Sequence, residues 1–97
     1  MIEAGEIYLA DLNEKQRRLV LVISTSSFHQ RSPRALVAPQ LLGAPEHVLL
    51  PWRVQVDGVE YGVDLMRSIT TDRLLERVDR APASVHNAVR RAVRSIT

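Results

Sequence analysis

Short apolar segments alternate with turn-forming residues along most of this chain, and that spacing restricts it to a small β-rich fold. Within its 97 residues, strand-like segments recur about every 8–12 residues, which is typical of a small barrel or sandwich. The run LVLVI at residues 19–23 is apolar throughout and predicts a strand buried on both faces. The strands that we predict cover residues 6–12, 19–23, 35–39, 48–56, 59–65 and 75–80.

Local signals organise the segments between and after these strands. The pair Asp57-Gly58 predicts a tight hairpin turn, whereas residues 24–33 are interpreted as a polar loop. Thr70 or Thr71 is expected to cap a short helical turn. Pro82 suits the first position of a helix, and residues 83–95 repeat apolar side chains at helical spacing, with three arginines on the opposite side. We therefore predict an amphipathic C-terminal helix that covers a sheet and leaves a basic face open.

Composition excludes several classes of protein and of site. The chain contains no cysteine, which rules out a disulfide framework and a cysteine-based zinc site. No apolar run approaches the roughly 18 residues that span a bilayer, and residues 1–6 lack the basic-then-apolar order of a signal peptide. With 45% hydrophobic and 25% charged residues, the composition is that of an ordinary globular protein. We predict a single domain over residues 1–97, located in the cytoplasm and without a membrane partner.

Charge is unevenly distributed along the chain. Residues 1–66 carry six basic and eight acidic side chains, whereas residues 67–97 carry seven basic and three acidic ones. This basic C-terminal third is interpreted either as a solvated face or as a surface for an anionic partner, which would be nucleic acid or an acidic protein segment. All but one of the basic residues are arginine, whose guanidinium suits bidentate contact with phosphate or carboxylate.

Four stretches, taken in order, resemble the MazF/PemK family. They are GEIYLADL at residues 5–12, RLVLVIS at residues 18–24, VAP at residues 37–39 and VDLMRSI at residues 63–69, the last followed by Arg73-Leu74. The family has a glycine–acidic–isoleucine–aromatic start, an Arg-Pro-Val-Leu-Val-Ile-Ser strand, a Val-x-Pro strand end and an Asp-Gln-x-Arg/Lys-Ser/Thr-Ile segment. The resemblance therefore extends over nearly the whole chain.

This resemblance implies a fold, an activity and partners. The implied fold is mainly β, an SH3-like β-barrel with a C-terminal α-helix, and family members form homodimers. They are the toxins of toxin–antitoxin pairs and act as endoribonucleases that cut single-stranded RNA without a metal or another cofactor. Their products carry a cyclic phosphate and a 5′-hydroxyl. The implied protein partner is a cognate antitoxin whose acidic C-terminal segment blocks the RNA groove.

The resemblance also implies roles for individual residues. Arg18 matches the family's catalytic arginine and is predicted to stabilise negative charge on the phosphate, with Arg17 as the alternative if the register differs by one residue. Asp64 matches a family aspartate that takes part in catalysis in some members and orients loops in others. Arg67 matches a basic family position and is predicted to contact RNA or the antitoxin.

Two positions depart from the family pattern. Leu41 stands where the family usually has threonine or serine, and leucine has no donor, acceptor or titratable proton; Leu65 replaces the family's glutamine. His47 is the predicted catalytic substitute for the missing hydroxyl, because histidine is the usual acid or base in RNA cleavage without a metal. His29 and Ser24 are predicted to contact RNA, and their simpler interpretation is a solvated histidine and a turn serine.

Two other functions fit the same sequence. The first is a toxin of the same fold that binds a target such as DNA gyrase without cutting RNA, which Leu41 and Leu65 favour. The second is a regulatory module that binds nucleic acid through the basic face of the helix predicted at residues 83–95.

Overall fold

The computed structural model describes residues 1–43 and 50–97. Within these residues the fold is mainly β, and five strands form one antiparallel sheet in the order β6-β3-β2-β1-β7. These strands are β1 (Glu6–Ala10), β2 (Arg18–Val22), β3 (Arg34–Pro39), β6 (Arg67–Thr70) and β7 (Leu74–Arg80). A separate hairpin contains β4 (Arg53–Val56) and β5 (Val59–Gly62), and the two helices are α1 (Ser26–Arg31) and α2 (Ser84–Ile96).

The central strand β2 is buried on both faces, as its continuous apolar run predicts. Successive side chains of a strand point to opposite faces, so Leu21 packs on one side of the sheet and Val20 and Val22 pack on the other. The Leu21 side is covered by the β4–β5 hairpin and by Val85 and Ala92 of α2, which explains why that helix is amphipathic. The second side holds its own apolar cluster, listed here by residue: Ala10, Leu12, Val20, Val22, Ala35, Val37 and Ile69.

The predicted C-terminal helix and the predicted hairpin are confirmed. Helix α2 begins at Ser84 and ends at Ile96. In the turn between β4 and β5, Asp57 has a φ of 50° and Gly58 a φ of 80°. These positive values are those of a tight turn whose twist matches the flanking strands, which is why Asp-Gly is favoured there. Neither described helix is long and apolar enough to cross a membrane.

The fold class predicted from the resemblance is confirmed in its strands and its terminal helix, but the sheet is not closed into a barrel. Among the described residues, β6 and β7 are the two edges of the sheet and do not pair with each other. The chain passes between these edges through a 3₁₀ turn, Thr71–Arg73, which contributes no strand ladder. That turn is nevertheless bonded to both sides, since the Thr71 amide donates to the Pro33 carbonyl and the Arg73 carbonyl accepts from Asp11.

Three segments differ from the local predictions. Residues 26–31 form the short helix α1 instead of a loop, because Thr25 caps the helix by accepting a hydrogen bond from the Phe28 amide at 3.4 Å. None of the helix residues is buried, so the sequence shows no apolar periodicity that would predict a helix. Residues 63–65 form a 3₁₀ turn instead of continuing β5. Strand β6 was not predicted, because Ile69 is its one buried residue and no alternation is visible.

The predicted strand over residues 48–56 begins at Arg53. Its first two residues lie outside the described part of the chain.

Glu6, the first residue of β1, is a buried carboxylate at 1% exposure that joins the N-terminus to β7. It accepts hydrogen bonds from the Glu3 amide at 2.7 Å and from Arg77 Nη1 at 3.0 Å, and Arg80 Nη2 lies 3.6 Å away. Burial alone would raise the pKa of Glu6, but the Glu3 hydrogen bond and the two arginines outweigh it and lower the pKa below its usual value. The charged form of Glu6 therefore stabilises the folded chain.

We expect this pKa shift to make the fold sensitive to acid. A carboxyl with a lowered pKa contributes stability that is present above its unfolded pKa of about 4.3 and is lost as the pH falls through its folded pKa. Glu6→Gln should therefore destabilise the protein at pH 7 but have a smaller effect near pH 3. Urea unfolding at the two pH values measures this difference, and an equal loss of stability at both would contradict the assigned role.

Candidate nucleic-acid interface

Arg18 opens strand β2 with its guanidinium only partly exposed. Nη2 donates to Glu14 Oε2 at 2.9 Å, and 20% of the side chain is accessible to solvent. Its Nε is buried and has no hydrogen-bond partner among the described residues. The Arg18 side chain lines a solvent-facing cleft, and its guanidinium has further N–H groups that can donate to an anion there. A phosphate oxygen is such an acceptor.

Glu14 is the acidic partner of Arg18, and the sequence prediction did not include it. It lies in the loop between β1 and β2 and places a carboxylate within hydrogen-bond distance of the guanidinium. The sequence signal for Glu14 is its position four residues before an arginine, a spacing that a solvated charged loop shows equally well. Glu14 and Arg18 share a cleft of about 260 Å³ with Lys15, Arg17 and Leu42, so a carboxylate and several cations face the same space.

Arg17, the alternative to Arg18, forms a different ion pair. Its Nη1 lies 3.3 Å from Asp11 Oδ2, and 53% of its side chain is exposed. Asp11 also approaches Arg73, at 3.9 Å. The geometry thus favours Arg18, which is better buried and has the unpaired donor, as the arginine of the site.

The end of β3 lies beside Arg18, and it presents apolar side chains. Gln40 is tied to the neighbouring strand because its amide donates to the Leu19 carbonyl at 2.9 Å, and the Leu41 amide bonds the Glu60 carbonyl. A Cβ placed on Gly62 would lie 3.2 Å from both Leu41 Cδ2 and Leu65 Cδ1. Both leucines, at positions where the family has polar residues, therefore pack over the same backbone and form one apolar surface. The Asp64 carboxylate borders it, since Oδ1 would lie 3.1 Å from the same Cβ.

Asp64 lies in the 3₁₀ turn after β5, and both of its carboxylate oxygens are bonded to one residue. Arg53 Nε donates to Oδ1 at 3.0 Å and Arg53 Nη2 donates to Oδ2 at 3.1 Å. The pair is partly shielded, with 16% and 25% of the two side chains exposed. This bidentate arrangement joins β4 to the turn and favours the loop-orienting role of Asp64 over proton transfer.

Ser24 and His29 form a small network at the opposite end of β2. Because the Ile2 carbonyl can only accept, His29 Nδ1 donates to it at 2.8 Å, and in the neutral ring Nε2 accepts from the Ser24 hydroxyl at 2.6 Å. Ser24 Oγ also accepts from the Leu36 amide. The network fastens α1 to the N-terminus and to β3.

The same two residues lie far from Arg18. Six residues of extended chain place Ser24 about 20 Å from it, so the structure does not bring this pair and Arg18 together within one chain. Their bonds to Ile2 and Leu36 favour a structural role over the predicted RNA contact.

Arg67 lies at the start of β6 in a second, strongly basic cleft. This cleft has a volume of about 310 Å³, and the described residues that line it include three arginines and no acidic residue: Asn13, Arg34, Arg67, Ser68, Ile69, Thr70 and Arg73. The sequence prediction assigned a contact to Arg67 alone; Arg73 belongs to the family-like stretch without a predicted role, and Arg34 has no signal of its own.

His47, the predicted substitute for the missing hydroxyl, lies outside the described residues, and its role stays a prediction. Within residues 1–43 and 50–97, no group of three or more histidine, aspartate or glutamate side chains is arranged to hold a metal ion. The described residues thus bring a carboxylate and several cations to one cleft and three arginines to another.

A family model described as PemK-like, MazF-like toxin of type II toxin–antitoxin system matches residues 3–97. The match therefore includes every predicted site residue. No curated protein matches the chain.

Several solved structures share this fold. An endoribonuclease in complex with its cognate antitoxin, from a mycobacterial species, has a TM-score of 0.84 at 13% identity, over 98% of this chain and 93% of that one. MazF in the MazE–MazF complex of Deinococcus radiodurans has a TM-score of 0.80 at 22% identity, again over 98% and 93% of the two chains. The Mycobacterium tuberculosis toxin MazF-mt6 has a TM-score of 0.78 at 21% identity and covers 93% of each chain.

Proposed function

Because the chain belongs to the PemK-like, MazF-like family of toxins from type II toxin–antitoxin systems, we propose that it is an endoribonuclease that cuts single-stranded RNA without a metal. Cleavage of cellular RNA would inhibit translation and growth. The observation that carries the proposal is the guanidinium of Arg18, which lines an open cleft and is bonded to the Glu14 carboxylate at 2.9 Å. Two of the structurally similar proteins are described as endoribonucleases, which supports the same activity here.

The proposed reaction uses the RNA's own 2′-hydroxyl as the nucleophile. A base removes the 2′-hydroxyl proton, the 2′-oxygen forms a bond to phosphorus, and the bond from phosphorus to the 5′-oxygen breaks. The leaving oxygen takes up a proton, so that the products are a cyclic phosphate and a 5′-hydroxyl. Arg18 would bind non-bridging oxygens and stabilise the charge that develops on them.

Two side chains are proposed for the proton transfers. Glu14 lies 2.9 Å from the Arg18 guanidinium, and a carboxylate next to the phosphate-binding cation is in range to accept the 2′-hydroxyl proton. His47 is the proposed acid, because an imidazole can donate a proton near neutral pH. Leu41 and Leu65 can neither accept nor donate a proton. Glu14 and His47 would therefore replace the hydroxyl that the family usually has.

A direct test is to incubate the purified protein with cellular RNA in the presence of EDTA. We expect fragments that end in a cyclic phosphate and begin with a 5′-hydroxyl, detected by end-specific ligation and sequencing. Structured RNAs such as tRNA and rRNA should be included with mRNA, because the apolar surface of Leu41 and Leu65 changes the site that meets the substrate. No cleavage of any of these RNAs at micromolar protein would refute the proposal.

We also propose an antitoxin partner and a homodimer. The similar structures include toxins bound to a cognate antitoxin and to MazE, and the arginine-rich clefts of this chain complement an acidic segment. An action on cellular RNA would place the protein in the cytoplasm. Co-expression with the neighbouring acidic reading frame, followed by co-purification, tests the partner.

A second candidate function is a toxin that binds its target without cutting RNA. The specific observation in its favour is the apolar surface formed by Leu41 and Leu65 over Gly62. Growth inhibition that survives Arg18→Ala, in cells whose RNA stays intact, would select this function over the nuclease.

Asp64 offers a prediction that separates positioning from catalysis. If Asp64 acts by fixing Arg53, then Asp64→Ala and Arg53→Ala should lower the cleavage rate by the same factor, and the double variant should lower it no further. Each change should also destabilise the fold by about 1 kcal/mol or less, since the pair is partly exposed. A loss in Asp64→Ala that greatly exceeds the loss in Arg53→Ala would instead make Asp64 a catalytic residue.

A further inference from the structure

The cleft that contains Arg67 lies along the edge strand β6 and concentrates positive charge from three separate segments. Arg34 comes from β3, Arg67 from β6 and Arg73 from the 3₁₀ turn that follows it. Arg34 pairs with Thr70 and Val37 pairs with Arg67 in the antiparallel β3–β6 register, so two of the arginines are held on adjacent strands. None of the described residues that line the cleft is acidic.

Arg34 is fixed in position before any ligand arrives. Its Nε donates to Ser68 Oγ at 2.7 Å and its Nη2 donates to the Ser68 carbonyl at 2.9 Å. A guanidinium has further donors besides these two, and its planar shape loses little conformational freedom when it binds an anion. Arg34 is therefore held in place with N–H donors left over, and these donors can bind an anion.

Arg67 and Arg73 add positive charge to the same cleft. Arg67 is exposed and makes no side-chain hydrogen bond or ion pair within the described residues. Arg73 donates to the Asp11 carbonyl at 3.4 Å, and its nearest carboxylate oxygen, also of Asp11, is 3.9 Å away. Asp11 is shared with Arg17 at 3.3 Å, so one carboxylate at the rim does not neutralise the cleft.

We propose that this cleft is a second phosphate-binding site, which holds the RNA backbone a few nucleotides from the phosphate at Arg18. The inference rests on the proposed action on RNA and extends it to residues outside the cleavage site. Asn13, which lines the cleft, begins the short loop that ends at Arg18. Five residue steps limit the distance between their Cα atoms to about 18 Å, so one strand of RNA can reach both places.

The lining favours a nucleic-acid backbone over an acidic peptide. Among the described residues that line it, Ile69 is the one apolar residue and is 3% exposed, so these residues form no pocket for the apolar side chains that anchor protein interfaces. They include no aromatic side chain either, and therefore offer no platform for stacking bases. Contacts to phosphate that do not distinguish sequence are what such a surface can make.

The test measures how binding depends on salt. The probe is a single-stranded 2′-O-methyl RNA, which binds as RNA but has no free 2′-hydroxyl and is not cut. Each lost phosphate contact lowers the slope of log Kd against log salt by about 0.7 for a single strand. We expect Arg67→Gln to lower the slope by about that amount and Arg34→Gln/Arg67→Gln by about twice as much, equally for two unrelated sequences. The control is Arg31→Gln, an exposed arginine at the end of α1, which should leave the slope unchanged.

Arg67→Gln removes no contact within the described residues, so its urea midpoint should match the unaltered protein and exclude misfolding as the cause. An unchanged slope in the double variant, with a lowered slope in Arg18→Gln, would overturn this site and leave the nuclease proposal intact. Absence of any RNA binding or cleavage by the unaltered protein would overturn both. Binding of a decaglutamate peptide that depends on Arg67, with an unchanged RNA slope, would overturn the RNA assignment in favour of an acidic protein segment.

Discussion

Replacing Arg18 by alanine is expected to lower the rate of RNA cleavage by about a hundredfold to a thousandfold, which is the usual cost of removing one preorganised donor from a developing oxyanion. The structural basis is that Arg18 combines a buried, unpaired Nε with an Nη2 held by Glu14 at 2.9 Å. Lysine should not restore the rate, because an ammonium group cannot contact two phosphate oxygens with the geometry of a guanidinium. Initial rates on a defined RNA oligonucleotide measure the effect.

This loss should occur without a loss of stability. Alanine removes a buried donor that has no partner among the described residues and one partly exposed ion pair with Glu14, so the free energy of unfolding should change by about 1 kcal/mol or less. Arg31→Ala, a change of the same type at the exposed end of α1, is the matched control and should keep full activity. A larger loss in Arg17→Ala than in Arg18→Ala would move the assignment to Arg17 and contradict the geometry described above.

Replacing Leu21 by alanine is expected to have the largest effect on the fold, a loss of about 2–5 kcal/mol in the free energy of unfolding. Leu21 is 0% exposed at the centre of β2 and packs into the cluster between the sheet, the β4–β5 hairpin and α2. The loss combines the transfer free energy of the side chain with the cavity that it leaves. For a small domain, this is a large part of the total stability.

Leu75→Ala is the matched control for that change. Leu75 lies on the edge strand β7 and is 49% exposed, so its truncation should cost about 0.5 kcal/mol or less. Urea denaturation of both variants gives the comparison. Equal losses would mean that α2 and the hairpin do not cover Leu21 in solution, and the packing described for this side of the sheet would then be wrong.

The two clefts and the apolar surface together describe how this chain differs from the family pattern. The carboxylate, the cations and the second group of arginines are present, while Leu41 and Leu65 stand where the family has polar residues. A nuclease built this way would depend more on electrostatic binding of the backbone than on side-chain hydroxyls. Its activity should therefore fall steeply with salt, for the reason given for the Arg67 cleft.

Much of the architecture was determined by local sequence. The apolar run over β2, the Asp57-Gly58 turn and the amphipathic segment of α2 predict their elements because each depends on neighbouring residues alone. Helix α1 and strand β6 are not predicted by the sequence, because they do not depend on neighbouring residues alone. Neither has an apolar period, and they exist because of a cap at Thr25 and of pairing with β3.

The candidate site was determined only in part by the sequence. Family resemblance selected Arg18, Asp64 and Arg67, and it also exposed the departures at positions 41 and 65. It did not reveal that Asp64 is bonded through both oxygens to Arg53, or that Ser24 and His29 are bonded to each other about 20 Å from Arg18.

The tertiary structure alone decided which charges share a space. Arg34, Arg67 and Arg73 are separated by up to 39 positions in the chain, and they meet because the β3–β6 register and the 3₁₀ turn after β6 bring their segments together. Helices and strands such as α2 and β2 follow from the periodicity of side chains that are neighbours in the sequence. The pairing of distant side chains follows from strand register and from where the sheet ends, which no local pattern specifies.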